Sequence, residues 1–208
     1  MHRPAGPALL LALLSWSGCG GEEPVERRAP MQPLELTGFR VDAPASFLDL
    51  EPERVAQLEE APRSTDPNAS SQVRAVRGER SSEGTVMLIR VVHPQAQLEG
   101  ATVQDALRTA IERDLGAARG PGATILSHEV TPGASWLDSS LHASVRQGGV
   151  ELQIRTRSTY WLEPDGDLVV VGVSCMAPPN VGRQMCPAVI ASLTRPATID
   201  GQALDAPR

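Results

Sequence analysis

The sequence predicts an α+β fold: a mostly antiparallel sheet of about seven strands, with a middle helix and a C-terminal helix packed on it. Three observations carry this expectation. Apolar and polar residues alternate on either side of Gly148-Gly149, as in two half-buried strands joined by a hairpin turn. From Thr102 onward, apolar residues recur at three- and four-residue spacing, the period of an amphipathic helix. Two nearly unbroken apolar runs, 86–92 and 168–173, have the length and composition of strands covered on both faces.

In chain order, Leu36-Thr37-Gly38-Phe39-Arg40-Val41 alternates and reads as the first strand, ended by Pro44. Residues 48–60 hold a helical turn or two with Val55 and Leu58 inward, and 61–71 has the Pro, Ser, Asp and Asn chemistry of a surface loop. Strands over 72–80 and 85–93 follow, joined by Ser-Ser-Glu-Gly. Thr102-Val103-Gln104-Asp105 has the form of a capping box with Asp in the last place. The helix it opens places Val103, Leu107, Ala110, Ile111 and Ala118 on one face and ends at Gly120-Pro121-Gly122.

A strand over 123–131 leads to the hairpin, whose turn implies a register. Val145 should face Leu152, Ala143 face Ile154 and Leu137 face Tyr160 on one side of the sheet. On the other side Arg146 should face Glu151, His142 face Arg155 and Trp136 face Trp161. A slip of one residue would scramble both faces. Pro164-Asp165-Gly166 turns the chain into the strand 168–173, and a last helix begins near Pro187 with Val189, Ile190 and Leu193 inward.

The N-terminus has a different purpose. Arg3, the apolar run Ala8-Leu9-Leu10-Leu11-Ala12-Leu13-Leu14, and the small residues from Ser15 to Gly21 follow the order of a secretory signal. The run is too short for a membrane span, which needs about 20 apolar residues. Ser17-Gly18-Cys19 resembles the lipobox of bacterial lipoproteins, with Trp16 where that family usually has Leu. The resemblance implies that Cys19 receives a diacylglycerol and becomes the new N-terminus. Ordinary cleavage after Ser17, leaving a free thiol at Cys19, is the alternative. Gly20 follows Cys19 where lipoproteins kept at the inner membrane tend to carry Asp, which favours the outer membrane, with the domain in the periplasm or at the surface.

The chain then divides into a signal over 1–18, a flexible tether over 19–33, one domain over 34–196 and a flexible tail over 197–208. Removing the signal takes away Arg3 and no acid, so the formal charge moves from −6 to −7. Every basic residue is Arg, and none stands in a basic run. Nucleic-acid binding, which requires a basic footprint, is excluded. Attachment to a membrane falls to the lipid, because an acidic domain gains nothing from an anionic surface. With Cys19 set aside, Cys175 and Cys186 remain in a chain bound for an oxidising compartment, and a structural disulfide is expected between them. The metal alternative lacks a neighbouring His or acidic partner, and redox pairs are usually closer in sequence.

The stretches "GFRVDAP", "GTVMLIRV", "TVQDALRTAIERDL" and "VVVGVSC…VIASL" together are similar to the PsbP-like fold, over most of the domain. That resemblance implies an α+β fold and transfers no catalytic residue.

No nucleophile elbow, phosphate loop, dinucleotide fingerprint or Cys/His metal set occurs, and no cofactor is expected. His128-Glu129 lie on opposite faces of a strand, and His93 before Pro94 reads as a surface residue. One constellation stands out. The hairpin register puts Trp136 and Trp161 on the same face as His142, Arg155 and Arg157, a Trp–Arg group of the kind enriched at binding surfaces. The competing expectation is a helix over this face with both rings packed beneath it, since only 3% of residues are aromatic. The whole points to a lipid-anchored, non-enzymatic binding or assembly factor acting on an envelope protein or small ligand. A hydrolase or transferase with a site invisible to motifs, or a purely structural envelope component, are the alternatives.

Lipidation has a direct test. A labelled fatty acid should mark the exported wild type and leave Cys19→Ala unmarked; a labelled variant would remove the lipid-anchor reading.

Overall fold

The computed structural model describes residues 30–64, 66–80, 83–96, 102–119, 122–133, 135–147, 149–196, 198–199 and 202–203. Cys19 and the signal lie outside them.

The chain opens with a hairpin rather than one strand. Strands β1 (Met31–Leu36) and β2 (Phe39–Pro44) pair antiparallel about Thr37-Gly38. Both turn residues have positive φ, 48° and 81°, which matches the right-handed twist of the flanking strands. The strand content therefore reaches back to Met31, into the stretch expected as tether; Leu34 finds a buried place beside Phe39, Val41 and Ala43. This hairpin stands apart from the main sheet and packs on it.

Next come the two-residue β3 (Leu48–Asp49) and α1 (Pro52–Glu60), whose inward Val55 and Leu58 are half-buried. They are followed by β4 (Ser70–Arg77), β5 (Thr85–His93), α2 (Val103–Ala118), β6 (Ala123–Pro132), β7 (Trp136–Gln147), β8 (Val150–Leu162), β9 (Leu168–Ala177) and α3 (Pro179–Ala191). Seven strands form one sheet in the order β3-β4-β5-β9-β8-β7-β6, with every neighbouring pair antiparallel. A short pairing of Thr198–Ile199 with Gln202–Ala203 lies near the C-terminus. The β7–β8 register is the expected one throughout, including Trp136 opposite Trp161 and His142 opposite Arg155.

Helix α2 is capped as its sequence implies: the Thr102 hydroxyl accepts a hydrogen bond from the Asp105 amide. Leu107, Ala110 and Ile111 are buried on Leu137, Tyr160 and Leu168. Val103 is 42% exposed and Ala118 is exposed too, against expectation, because the helix contacts β7 and β8 and its end turns overhang them. His93 also departs from expectation. It is mostly buried, and its Nδ1 lies 2.9 Å from an Asp66 carboxylate oxygen; the proximity holds the Asp66 carboxyl below its ordinary range.

The last helix begins at Pro179, not near Pro187. Pro178-Pro179 forms its start, where a missing N–H costs nothing, and Pro187 lies inside it. Interior proline forfeits a ladder hydrogen bond, and here burial of the helix face outweighs that loss. Cys186 and Val189 are buried with Leu193 against Val171, Val173 and Cys175 of β9. The disulfide Cys175–Cys186 is formed, with Cα atoms 5.3 Å apart, so it pins the middle of α3 rather than its start. The first hairpin completes this layer: Arg40 exchanges backbone hydrogen bonds with Thr194, and the Asp42 amide donates to the Ser192 hydroxyl.

Trp161 belongs to this core. It is 6% exposed and stacked on Phe39 with ring centroids 6.1 Å apart. Trp161→Ala should lower unfolding free energy by about 3–5 kcal/mol in urea titration; a loss under ~1 kcal/mol would move the ring out of the core. Separately, Cys175→Ala/Cys186→Ala should lose ~3 kcal/mol from the freed loop, and a reductant should destabilise only the wild type. Equal melts for the two proteins would refute a structural role for the bridge.

Candidate functional site

The sheet face under α3 is covered unevenly. The hairpin β1–β2 and α3 bury the residues of β5 and β9, and α3 reaches β8. Beyond it, the same face of β6 and β7 forms the floor of a groove of about 640 Å³, walled on one side by Pro187, Ile190 and Ala191 of α3.

The floor can be read as rows running across the strands. The first row is Thr131, Asp138 and Thr159; the second is Glu129, Ser140 and Arg157; the third is Ser127, His142 and Arg155. Alternation along each strand puts all nine on one face. A register shift between Ile125 and Ser127 brings Ser127 opposite His142.

Asp138 of the first row gathers the hydrogen bonds of its neighbours, including Arg157 of the second. Asp138 is 3% exposed, and one of its oxygens accepts hydrogen bonds from Arg157 Nε and Nη2 at 3.1 and 2.8 Å. The same oxygen takes Nη2 of Arg195, while the other accepts from the Thr159 hydroxyl at 2.7 Å. A buried carboxylate requires such partners, and this one is fully committed to them. Arg195 also lies 4.2 Å above the Trp136 ring, a cation–π contact.

The third row is different. His142 Nε2 and Arg155 Nε are shielded from solvent and have no hydrogen-bond partner among the described residues. Burial is the main cause that lowers the His142 pKa below 6.5, the Arg155 charge adds to it, and a hydrogen bond with Gln153 opposes it. The shift favours the uncharged ring and leaves Arg155 as the fixed charge of the row.

Thus His142, Arg155 and Arg157 come together in one groove, and the two tryptophans do not join them as an exposed pair. Trp161 is core, and Trp136 is half-buried beneath Arg195. The covering helix expected as the alternative is present, but it covers only the inner half of the face. Asp138 and Arg195 were missed at the sequence level. A carboxylate on the polar side of an alternating strand gives no sign of burial, and its second arginine is 57 residues away.

A second His-bearing pair lies on the opposite face. His128 Nε2 is 3.0 Å from the Ser139 hydroxyl, and burial lowers the His128 pKa, helped by Arg119. Ser139 sits mid-strand between Val130 and Ser158, so its peptide groups serve the ladder and offer no oxyanion site.

No known family and no curated protein matches the sequence. Among solved structures, the fold is similar to LpqN, involved in cell envelope biogenesis of Mycobacterium tuberculosis, at 12% identity over 81% of this chain and 86% of that one, with a TM-score of 0.41. It is also similar to the Ran-binding protein Mog1p of Saccharomyces cerevisiae, at 10% identity over 80% and 95% of the two chains and a TM-score of 0.40. A third likeness is to PA94 of Pseudomonas aeruginosa, a protein of unknown function described as a putative regulator, at 11% identity over 76% and 90% with a TM-score of 0.40. Likenesses at this level carry no argument about the activity or partners of this chain.

Proposed function

We infer that this chain is a lipid-anchored envelope protein that acts by binding, through the groove beside α3. The lipid would sit on Cys19, with residues from Gly20 toward the first hairpin as a tether, and Gly20 favours placement at the outer membrane. The observation that carries the binding reading is the composition of the groove: an apolar wall along α3 facing a floor of arginines, hydroxyls, a histidine and the carboxylates of Asp138 and Glu129. Concave sites that combine apolar surface with a few placed polar groups suit recognition of a ligand or partner. Of the two floor carboxylates, Glu129 is exposed on the edge strand, and Asp138, the buried one, is held by two arginines and a threonine. Its role is to fix Arg157 and Arg195 in place, which pre-organises the surface a partner meets.

The test uses the lipidated protein in its own envelope. A photocrosslinker at Ala191, which is exposed on the groove wall, should give defined adducts, and one at Arg108 on the α2 side should not. Adding Arg155→Ala should abolish the Ala191 adducts while changing unfolding free energy by less than about 1 kcal/mol. Equal adducts from both positions, or none from Ala191, would reject the groove as the contact.

A further inference from the structure

We propose that the groove takes a single-chain amphiphile with an anionic oxygen headgroup, the headgroup at Arg155 and His142 and the apolar body along Ile190 of α3. The inference rests on the groove being the binding site and adds the chemistry of what it binds.

The three rows differ in their charge balance. In the first two, each positive group has a carboxylate close by: Asp138 binds Arg157 and Arg195, and Glu129 stands at the rim of the Arg157 row. The third row, Ser127, His142 and Arg155, contains no carboxylate. Its continuation into β9 is Cys175, bridged to Cys186, so the row runs under the disulfide to the α3 wall. Helix α3 contributes no acid either. Arg183 stands one helical turn before Pro187 and two before Ile190, so an exposed guanidinium shares the face that lines the groove. The positive end of the site is therefore local, in a chain whose net charge is −6.

The hydrogen-bonding state of the third row points the same way. Protein interiors rarely leave polar nitrogens unpartnered, and each instance calls for an explanation. Here two such atoms, His142 Nε2 and Arg155 Nε, belong to directly opposed residues on one face. Arginine presents its donors as a planar fork that matches the paired oxygens of a carboxylate or phosphate. A modest turn of the Arg155 side chain toward the groove would bring Nε and Nη onto such a headgroup. Ser127 and Ser140 add hydroxyl donors on the same floor.

Beside that polar end runs an apolar wall, which a bare anion would leave unused. Pro187, Ile190 and Ala191 give the site a direction, with the charged row beneath Pro187 and the apolar edge continuing along the helix. A volume of about 640 Å³ suits one chain with a compact headgroup.

The experiment titrates the full exported chain carrying Cys19→Ser, so that no acyl chain of its own competes. Four probes are used below their micelle concentrations where these apply: dodecyl phosphate, dodecanoate, dodecyl maltoside and inorganic phosphate. Affinity is measured by calorimetry, and the arginine Nε–H resonances by nitrogen-edited NMR. Dodecyl phosphate, dodecanoate or both should bind at least about tenfold tighter than the maltoside, given the strength of charge-assisted bonds to Arg, and should shift the Arg155 Nε–H signal. Which of the two binds better separates a phosphate from a carboxylate headgroup. Arg155→Ala and Ile190→Ser should each weaken the better anionic probe by about tenfold, as expected for anchors at a site's centre, and Arg108→Ala should leave it unchanged. The Arg155 shift in the wild type keeps the test valid if Arg155→Ala folds poorly. Equal affinity for the maltoside overturns the anionic headgroup, and equal affinity for inorganic phosphate overturns the apolar body. If no amphiphile binds in the groove while Ala191 adducts persist in the envelope, the ligand class is wrong and the binding role of the groove stands.

Discussion

The seating of α3 on β8 and β9 is the constraint on which the rest depends. Seven strands spaced ~4.8 Å apart make a sheet near 30 Å wide, whereas a helix with its side chains covers only about 10–12 Å. One helix and one two-stranded hairpin cannot cover such a face. Leu193, Val189 and the Cys175–Cys186 bridge commit α3 to the middle of the sheet, and the first hairpin takes β4 and β5. The outer strands β6 and β7 are left with an open face, and the groove is the consequence.

That unequal covering explains the residue types along β7 and β8. Where Phe39 lies overhead, β8 carries Trp161; farther along the same face, beside α3 and its disulfide, it carries Thr159, Arg157 and Arg155. On the opposite face, α2 lies over β7 and β8, and the same strands present Leu137 and Tyr160. Tyr160 donates its hydroxyl hydrogen to Asp114 of α2, and burial pushes its pKa well above the ordinary tyrosine value. The Asp138 cluster is the transition between core and groove. It holds an arginine from β8 and another from beyond α3 on one buried carboxylate, so it ties the end of the chain to the sheet beside the Trp136 ring.

The outer strand also shows how a long edge is kept from pairing with strangers. β6 has one neighbour in the sheet, it is irregular between Ile125 and Ser127, and it ends at Pro132. A bulge and a terminal proline each interrupt a free row of backbone donors and acceptors. Edge protection and groove formation therefore share one feature, because the same irregularity sets Ser127 against His142.

The sequence by itself determined the features written in local periods. The β7–β8 register was legible because the two-residue period sorts both faces at once around Gly148-Gly149, and a slip would misplace every side chain. The start of α2 was legible in Thr102 and Asp105, and the disulfide in the pairing of the two cysteines left over from Cys19. Only the tertiary structure decided what each face meets. Met31–Leu36 becomes a strand because the core offers Leu34 a buried place, and Pro187 is accepted inside α3 because Cys186 and Val189 hold that helix down. Trp136 and Trp161 stand opposite each other with similar neighbours in sequence, yet Phe39 and Arg195, remote along the chain, give one ring to the core and the other to a cation. Periodicity assigns a residue to a side of a sheet. Whether that side is core or binding surface depends on how far the covering helix reaches, and no local pattern encodes that distance.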